Sequence, residues 1–390
     1  MTKKIIPYSR QTISSSDVKS VSKILKTEFL TSGPTIRKFE KNITDYLGVK
    51  YAVAVNSATS ALHISCLAFN LNSKDYFWTS NNSFVASANC GLLCGAKPDL
   101  IDINLDDFNI SIEKLEHQLK KTNKKKIPKI IIPVHLAGYP ANLEKLNKLK
   151  KKYKFKVIED ASHAYGSTYN GSNLGTCKYS DITVFSFHPI KIFTSGEGGV
   201  AVTNSKKIYE KLLILRNHGI TKDPKKFKFL KKNPVYYEQQ VLGLNYRLSD
   251  IHAALGLSQV KRLNKFYKKR LAIKKKYDRK LKSLPFIFPK YNNKIKISNH
   301  LYILLIDIKK TKKTRNQLMN FLFKKKITTS IHYSPIHMQP YYKKFKFNDN
   351  KFKNSIFYYK NAISLPIYPE LSKIDQDYII LMIKKFFRKS

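Results

Sequence analysis

Cysteine is scarce in this chain of 390 residues, acidic side chains are far outnumbered by basic ones, and long apolar runs are missing. Each shortage removes a class of protein. The four cysteines, Cys66, Cys90, Cys94 and Cys177, include no Cys-x-x-Cys pair, so neither a disulfide framework nor a zinc ribbon is expected. The first three stand among Ala, Leu and Ile, as small core residues do. Cys90 and Cys94 would share a helix face, but without a matching second pair of Cys or His no metal site is expected. No stretch approaches the roughly 20 apolar residues needed to cross a bilayer. The first segment, MTKKIIPYSRQTISSSD, turns polar too soon for a signal peptide. A soluble cytoplasmic protein with no membrane partner is the expectation.

The shortage of acid, 26 Asp+Glu against 73 Lys+Arg, leaves a formal charge of +47 and raises the question of a nucleic-acid partner. A second shortage answers it: only nine of the 73 are Arg. Readers of phosphates and bases lean on the bidentate guanidinium fork. The lysines instead lie in scattered runs such as 124–126, 150–152 and 324–326, and no nucleic-acid module signature accompanies them. The excess reads as a compositional drift on solvated faces, and no nucleic-acid partner is expected.

What is present is globular: 42% of residues are hydrophobic and 12% aromatic. The length exceeds the roughly 250–300 residues at which single cores stop growing, so two domains are expected. Runs rich in Val and Ile at 51–55, 100–103, 130–134, 157–158, 182–187 and 200–203 alternate with stretches at 60–69, 84–93, 112–119 and 143–150, whose apolar residues recur at spacings of three and four. That alternation predicts an α/β architecture, a mostly parallel sheet with helices on both faces. A helical segment runs from Ser249 toward Leu284, where Pro285 ends it, and links the large domain, 1–265, to a smaller α+β domain, 266–390. The latter holds a strand at 300–308 and a final helix from about Lys373.

Four segments carry chemistry. In DITVFSFHPIKIFTSGEGGVAVTN, 181–204, a strand ends at Ser186 and Phe187, and Lys191 stands just past the Pro189 turn. Apolar surroundings favour the neutral amine that Schiff-base chemistry requires. In VIEDASHAYG, 157–166, a buried strand delivers Glu159 and Asp160 at its carboxyl end. An aspartate there either caps a helix or pairs with a protonated pyridine nitrogen, and His163 either caps the next turn or donates toward a ring's phenolic oxygen. In VNSATSALH, 55–63, a helix opens on Ser57, Ala58, Thr59 and Ser60, whose amides and hydroxyls make either a plain cap or a phosphate cradle. In SNNSFVASAN, 80–89, Phe84 is either a core aromatic or a plate for a cofactor ring.

In this order the segments resemble the DegT/DnrJ/EryC1/StrS family of sugar aminotransferases, together with FLTSGPTIRKFE at 29–40, LGLNYRLSDIHAALGLSQ at 242–259 and IHYSPIHMQPYY at 331–342. The resemblance implies fold-type I, the aspartate aminotransferase architecture, and pyridoxal 5'-phosphate as cofactor. It implies that Lys191 is the catalytic lysine that binds the cofactor and shuttles the proton. Asp160 then meets the pyridine nitrogen, His163 the phenolic oxygen and Phe84 a ring face. Ala58, Thr59 and Ser186 hold the phosphate, and Asn245 reaches it from the neighbouring subunit of a homodimer. Tyr8, Thr31, Arg247, His332, Tyr333 and His337 match segments that border a sugar-nucleotide pocket. PYSRQ at 7–11, SGEGG at 195–199 and HYSPIH at 332–337 resemble the branch acting at position four of a UDP-linked 4-keto-6-deoxy-N-acetylhexosamine, with L-glutamate as amino donor. Two alternatives stand beside it: a 4-aminotransferase for another nucleotide sugar, such as GDP-4-keto-6-deoxymannose, and a non-catalytic regulatory protein on the same fold. Lys191 argues against the family's dehydratase branch, which carries histidine there.

Overall fold

The computed structural model describes residues 5–229, 235–290 and 295–388. Its centre is a seven-stranded sheet of β1 (Tyr51–Val55), β2 (Tyr76–Ser80), β3 (Lys97–Ile101), β4 (Ile130–Ile132), β5 (Lys156–Asp160), β6 (Ile182–Ser186) and β7 (Gly199–Thr203). The spatial order is β1-β7-β6-β5-β4-β2-β3. From β6 to β3 all neighbours are parallel, whereas β7 runs antiparallel to both β6 and β1. The reversal has a local cause. Residues 187–198 return as a loop, and an antiparallel neighbour needs no helical crossover.

The helices are α1 (Ser15–Ile24), α2 (Pro34–Leu47), α3 (Ala58–Ala68), α4 (Ala86–Leu92), α5 (Ile112–Lys121), α6 (Leu143–Tyr153), α7 (Lys206–Leu215), α8 (Asp250–Val260), α9 (Leu263–Leu281), α10 (Arg315–Lys324), α11 (Lys353–Asn361) and α12 (Lys373–Arg388). Among the described residues no helix is long and apolar enough to cross a membrane. The inner strands β4 to β7 bury nearly every residue, which is why they read as continuous apolar runs rather than as alternating ones. β3 starts at Lys97, not Leu100, because it is the sheet edge, where Pro98 has no ladder bond to break. β2 was absent from the expected strands: its YFWTS lacks the Val and Ile run that marks the others.

The single long helix expected from Ser249 is two. Ser249 caps α8 through the His252 amide, the chain turns at Lys261 and Arg262, and α9 follows. α9 spans two hydrophobic clusters. Leu263 and Phe266 pack with Phe39 and Phe187 under the main sheet, while Ile273, Tyr277 and Leu281 pack with Leu304, Ile306 and Ile379. The second cluster lies on an antiparallel sheet of β8 (Phe286–Ile287), β9 (Tyr302–Ile306) and β10 (Ala362–Leu365), covered by α10 and α12. The chain's beginning joins it: Ile6 bridges to Ile327, and the Tyr8 amide donates to Thr328 Oγ1 at 2.9 Å. Tyr8 thereby reaches the rim of the cavity formed where the two sheets meet.

Candidate active site

The carboxyl ends of β5 and β6, the first turn of α3 and the segment 330–333 enclose a cavity of about 420 Å³. Ten sequence-predicted residues line it: Tyr8, Ala58, Thr59, Phe84, Asp160, His163, Ser186, Lys191, His332 and Tyr333. This is where a parallel sheet collects ligands, because helix N-termini and strand ends converge there.

Lys191 is half-buried by surface area, since one side opens on the cavity. The protein still encloses it closely enough that burial draws its ammonium pKa down to about 8, against the opposing charge of Asp160. Strand alternation separates the two acids of β5. Glu159 turns away from the cavity, where its carboxylate meets His135 Nε2 at 2.8 Å and Thr183 Oγ1 at 3.2 Å. Asp160 turns toward it, its Oδ2 accepting from Ser87 Oγ at 2.6 Å and its Oδ1 from Ser162 Oγ at 2.6 Å. Ser87 and Ser162 stand inside the segments singled out in the sequence but were passed over there. Their signal was a small hydroxyl residue close to the predicted ring contacts.

At α3 the Ser57 side chain caps the Ser60 amide at 3.1 Å, and the amides of Ala58 and Thr59 have no protein acceptor among the described residues. Strand β7 passes so close that a Cβ on Gly199 would lie 2.4 Å from the Ala58 nitrogen and 2.5 Å from the Ser57 carbonyl carbon. Two free amides at a helix N-terminus, beside Ser186 of the next strand end, form an anion cradle. Phe84 stands at the mouth, 56% exposed, an arrangement that leaves a ring face for a planar guest.

His163 is buried, and both its ring nitrogens are engaged within the protein: Nδ1 with the Ala137 amide at 3.3 Å, Nε2 with the Tyr333 hydroxyl at 3.1 Å. Burial, then the charges of Lys191 and His332, hold its pKa well below the usual value. His332 is drawn down to about 4 by burial and by Lys191, and its Nδ1 pairs with Ser364 Oγ at 2.8 Å.

Four predicted residues stand outside the cavity. Thr31 is exposed and bridges to Ser249, where the Asp250 carboxylate caps α2 through the amides of Gly33 and Thr35. Arg247 lines a different hollow of about 240 Å³ with Arg37 and Arg216 and binds Asn217 Oδ1 at 2.5 Å. Asn245 is exposed, bridged to Asn217. His337 is buried behind the cavity wall, its Nδ1 2.8 Å from the Asn81 amide nitrogen and its ring against Phe352. The resemblance matched His337 to a segment that borders the sugar-nucleotide pocket; the short helical turn after Pro335 points its side chain into the Asn81 and Phe352 packing.

Residues 11–384 match the DegT/DnrJ/EryC1/StrS aminotransferase family. The chain belongs to that family. A Campylobacter jejuni UDP-4-amino-4,6-dideoxy-N-acetyl-beta-L-altrosamine transaminase is 36% identical over 376 residues, 96% of each chain. Helicobacter pylori PseC, an aminotransferase involved in the biosynthesis of pseudoaminic acid, superposes with a TM-score of 0.89 at 33% identity, covering 99% of this chain and 100% of that one. Streptococcus pneumoniae Spr1654 in its PLP form gives a TM-score of 0.88 at 27% identity over 99% of both chains. This DegT/DnrJ/EryC1/StrS family member is therefore a pyridoxal-phosphate-dependent sugar aminotransferase of fold-type I. Its own residues fit the cofactor: a lysine of lowered pKa, a carboxylate fixed by two hydroxyls and a helix N-terminus with spare amides open on one cavity.

Proposed function

We propose that this aminotransferase moves the amino group of L-glutamate to position four of a UDP-linked 4-keto-6-deoxy-N-acetylhexosamine, in nucleotide-sugar biosynthesis in the cytoplasm. The observation that carries the catalytic half is Lys191 beside Asp160 in the cavity, with an amine that titrates at about 8. The 36% identity to a transaminase of a UDP-linked sugar supports the substrate half.

Pyridoxal phosphate supplies an electron sink for the carbon that loses or gains a proton. The protein supplies position and proton transfer. Asp160, oriented by Ser87 and Ser162, would pair with the pyridine nitrogen and keep it protonated. The amides of Ala58 and Thr59, with Ser186, would hold the phosphate. Phe84 would cover a ring face. Lys191 would hold the cofactor covalently and then carry the proton between carbons; a group that titrates at about 8 can take a proton and return it near neutral pH. Tyr8, His332 and Tyr333 would border the sugar. The active unit is a homodimer in which Asn245 serves the phosphate site of the neighbouring copy and Arg247 and Thr31 border the nucleotide there. The exposed apolar side chains around them, Phe29, Leu30, Val241 and Leu242, support that arrangement.

The test is an amination assay of the holoenzyme with L-glutamate and a panel of UDP- and GDP-linked 4-keto-6-deoxy sugars, with products read by mass and proton couplings. The expected result is amination at position four of the UDP-linked N-acetylhexosamine. Preference for the GDP-linked sugar, or no product from any UDP-linked sugar, would overturn it.

A further inference from the structure

The hydroxyl of Tyr333 is held in one orientation by a residue that cannot release it. Its oxygen lies 3.1 Å from His163 Nε2, and the other side of the imidazole decides which of the two donates. His163 Nδ1 is 3.3 Å from the backbone N–H of Ala137, and an amide nitrogen only donates, so Nδ1 is bare. The ring is neutral, because burial and the nearby charges of Lys191 and His332 hold its pKa well below the usual value. Its single proton is therefore on Nε2 and points at the tyrosine oxygen. Tyr333 keeps its own proton, for which no acceptor stands among the described residues. Burial, and next the charge of Asp160, raise the phenol's pKa, so the group remains a donor throughout the working pH range.

The backbone that carries the ring is also held on both sides. The Tyr333 amide donates to Asn82 Oδ1 at 3.1 Å, and the carbonyl just before it, of His332, accepts from the Tyr358 hydroxyl at 2.5 Å. A preset donor in the cavity that holds Lys191 suits an oxygen on which negative charge develops as its carbonyl is attacked.

We propose that Tyr333 is a catalytic residue whose hydroxyl donates a hydrogen bond to the keto oxygen of the sugar, and that His163 is the positioning residue that aims it. This rests on the keto-sugar reading given above. As the amine nitrogen bonds to the keto carbon, the carbonyl π pair moves to oxygen. The C–O bond then breaks, and the oxygen leaves as water with the two protons the nitrogen gives up. Tyr333 stabilises the oxygen throughout and ends with the proton it began with.

The experiment compares wild-type holoenzyme with Tyr333→Phe, His163→Gln and His163→Leu. Visible absorbance of the bound cofactor reports loading, calorimetry reports sugar-nucleotide binding, and kcat and KM are measured for the UDP-linked keto sugar. Tyr333→Phe is expected to keep the visible band and the binding affinity while kcat falls about 10²–10³-fold with KM little changed. His163→Gln, which retains an N–H, should lose less than His163→Leu. A Tyr333→Phe enzyme within about threefold of wild-type kcat, or one that no longer holds the cofactor, overturns the role of Tyr333. Equal losses in the two His163 variants overturn the positioning role. If the wild type is converted by glutamate, seen as a change in visible absorbance, yet aminates no UDP-linked sugar, the sugar reading is what fails. Tyr333→Phe is then judged on the return half-reaction with 2-oxoglutarate, whose keto oxygen calls on the same donor.

Discussion

Burial and charge act on Lys191 in opposite senses: enclosure favours the neutral amine, Asp160 favours the ammonium, and enclosure prevails, leaving the pKa at about 8. An ordinary lysine titrates near 10.4, so in cofactor-free protein reductive methylation of Lys191 should reach half its maximal rate at about pH 8, well before the other lysines. A midpoint above pH 10, read by peptide mass spectrometry, would show that the enclosure is ineffective. Lys191→Ala should lose the visible band of covalently held cofactor and at least about a thousandfold in kcat. At His332 the same kind of depression becomes a dependence of stability on pH. Burial, then Lys191, lowers its folded-state pKa to about 4, against about 6.5 for a solvated histidine. Between those values the unfolded chain binds the extra proton, so stability is full above pH 6.5 and falls as pH drops toward 4. At about 1.4 kcal/mol per pH unit, this one group accounts for about 3 kcal/mol at full effect. His332→Gln, still able to pair with Ser364, should show a flatter fall in denaturant midpoint between pH 7 and 5 than the wild type.

Among the elements, β7 and α3 meet where Gly199 faces the peptide between Ser57 and Ala58. Gly199→Ala places a methyl 2.4 Å from the Ala58 nitrogen, and backbone cannot give way as a flexible side chain can. The variant should lose about 1–3 kcal/mol of stability and bind pyridoxal phosphate at least tenfold more weakly, measured by thermal unfolding and by titration of the visible band. Unchanged affinity would mean that the α3 amides do not hold the phosphate. The same pair of elements shows what a sequence can disclose. NSATSALH and the Gly-Gly before Val200 are local signals, and a strand followed by small hydroxyl residues narrows the choice to a helix cap or a phosphate cradle, between which the free amides of Ala58 and Thr59 decide. The inner strands were legible because both faces are buried and the code is simply Val and Ile. β2 was not, since Tyr76, Trp78 and Thr79 owe their places to the neighbours β3 and β4 rather than to their own periodicity. The split of α8 from α9 was hidden for a similar reason. Lys261 and Arg262 are good helix formers, and the turn there follows from packing, with Arg262 drawn to the Asp17 carboxylate of α1. The direction that the turn after Pro335 gives to His337 is not written in the local sequence, and Tyr333 and His163, 170 positions apart, meet only in the fold.

At the scale of the molecule, two features call for something beyond one chain. Leu242 is 83% exposed beside Val241 and Leu244, on the same surface stretch as Asn245, and apolar contiguity of that kind marks a contact surface. If Asn245 completes the neighbouring copy's phosphate site, mixing inactive Lys191→Ala with Asn245→Ala should restore activity, because one heterodimer site carries both intact residues. Activity equal to the sum of the two separate variants would exclude a shared site. The second feature is the net charge of +47, large enough to set a positive potential around the whole surface. A UDP-linked sugar carries the diphosphate's negative charges, while glutamate carries a net charge of minus one, so the field should speed encounter with the nucleotide more than with the amino donor. Salt shortens the reach of the field to about 10 Å at 0.1 M and about 3 Å at 1 M. Raising sodium chloride across that range should therefore increase KM for the sugar nucleotide more steeply than KM for glutamate, with kcat nearly constant. Equal slopes for the two substrates would mean that the lysines act on solubility alone, and that recognition of the nucleotide is confined to the short-range contacts of the pocket.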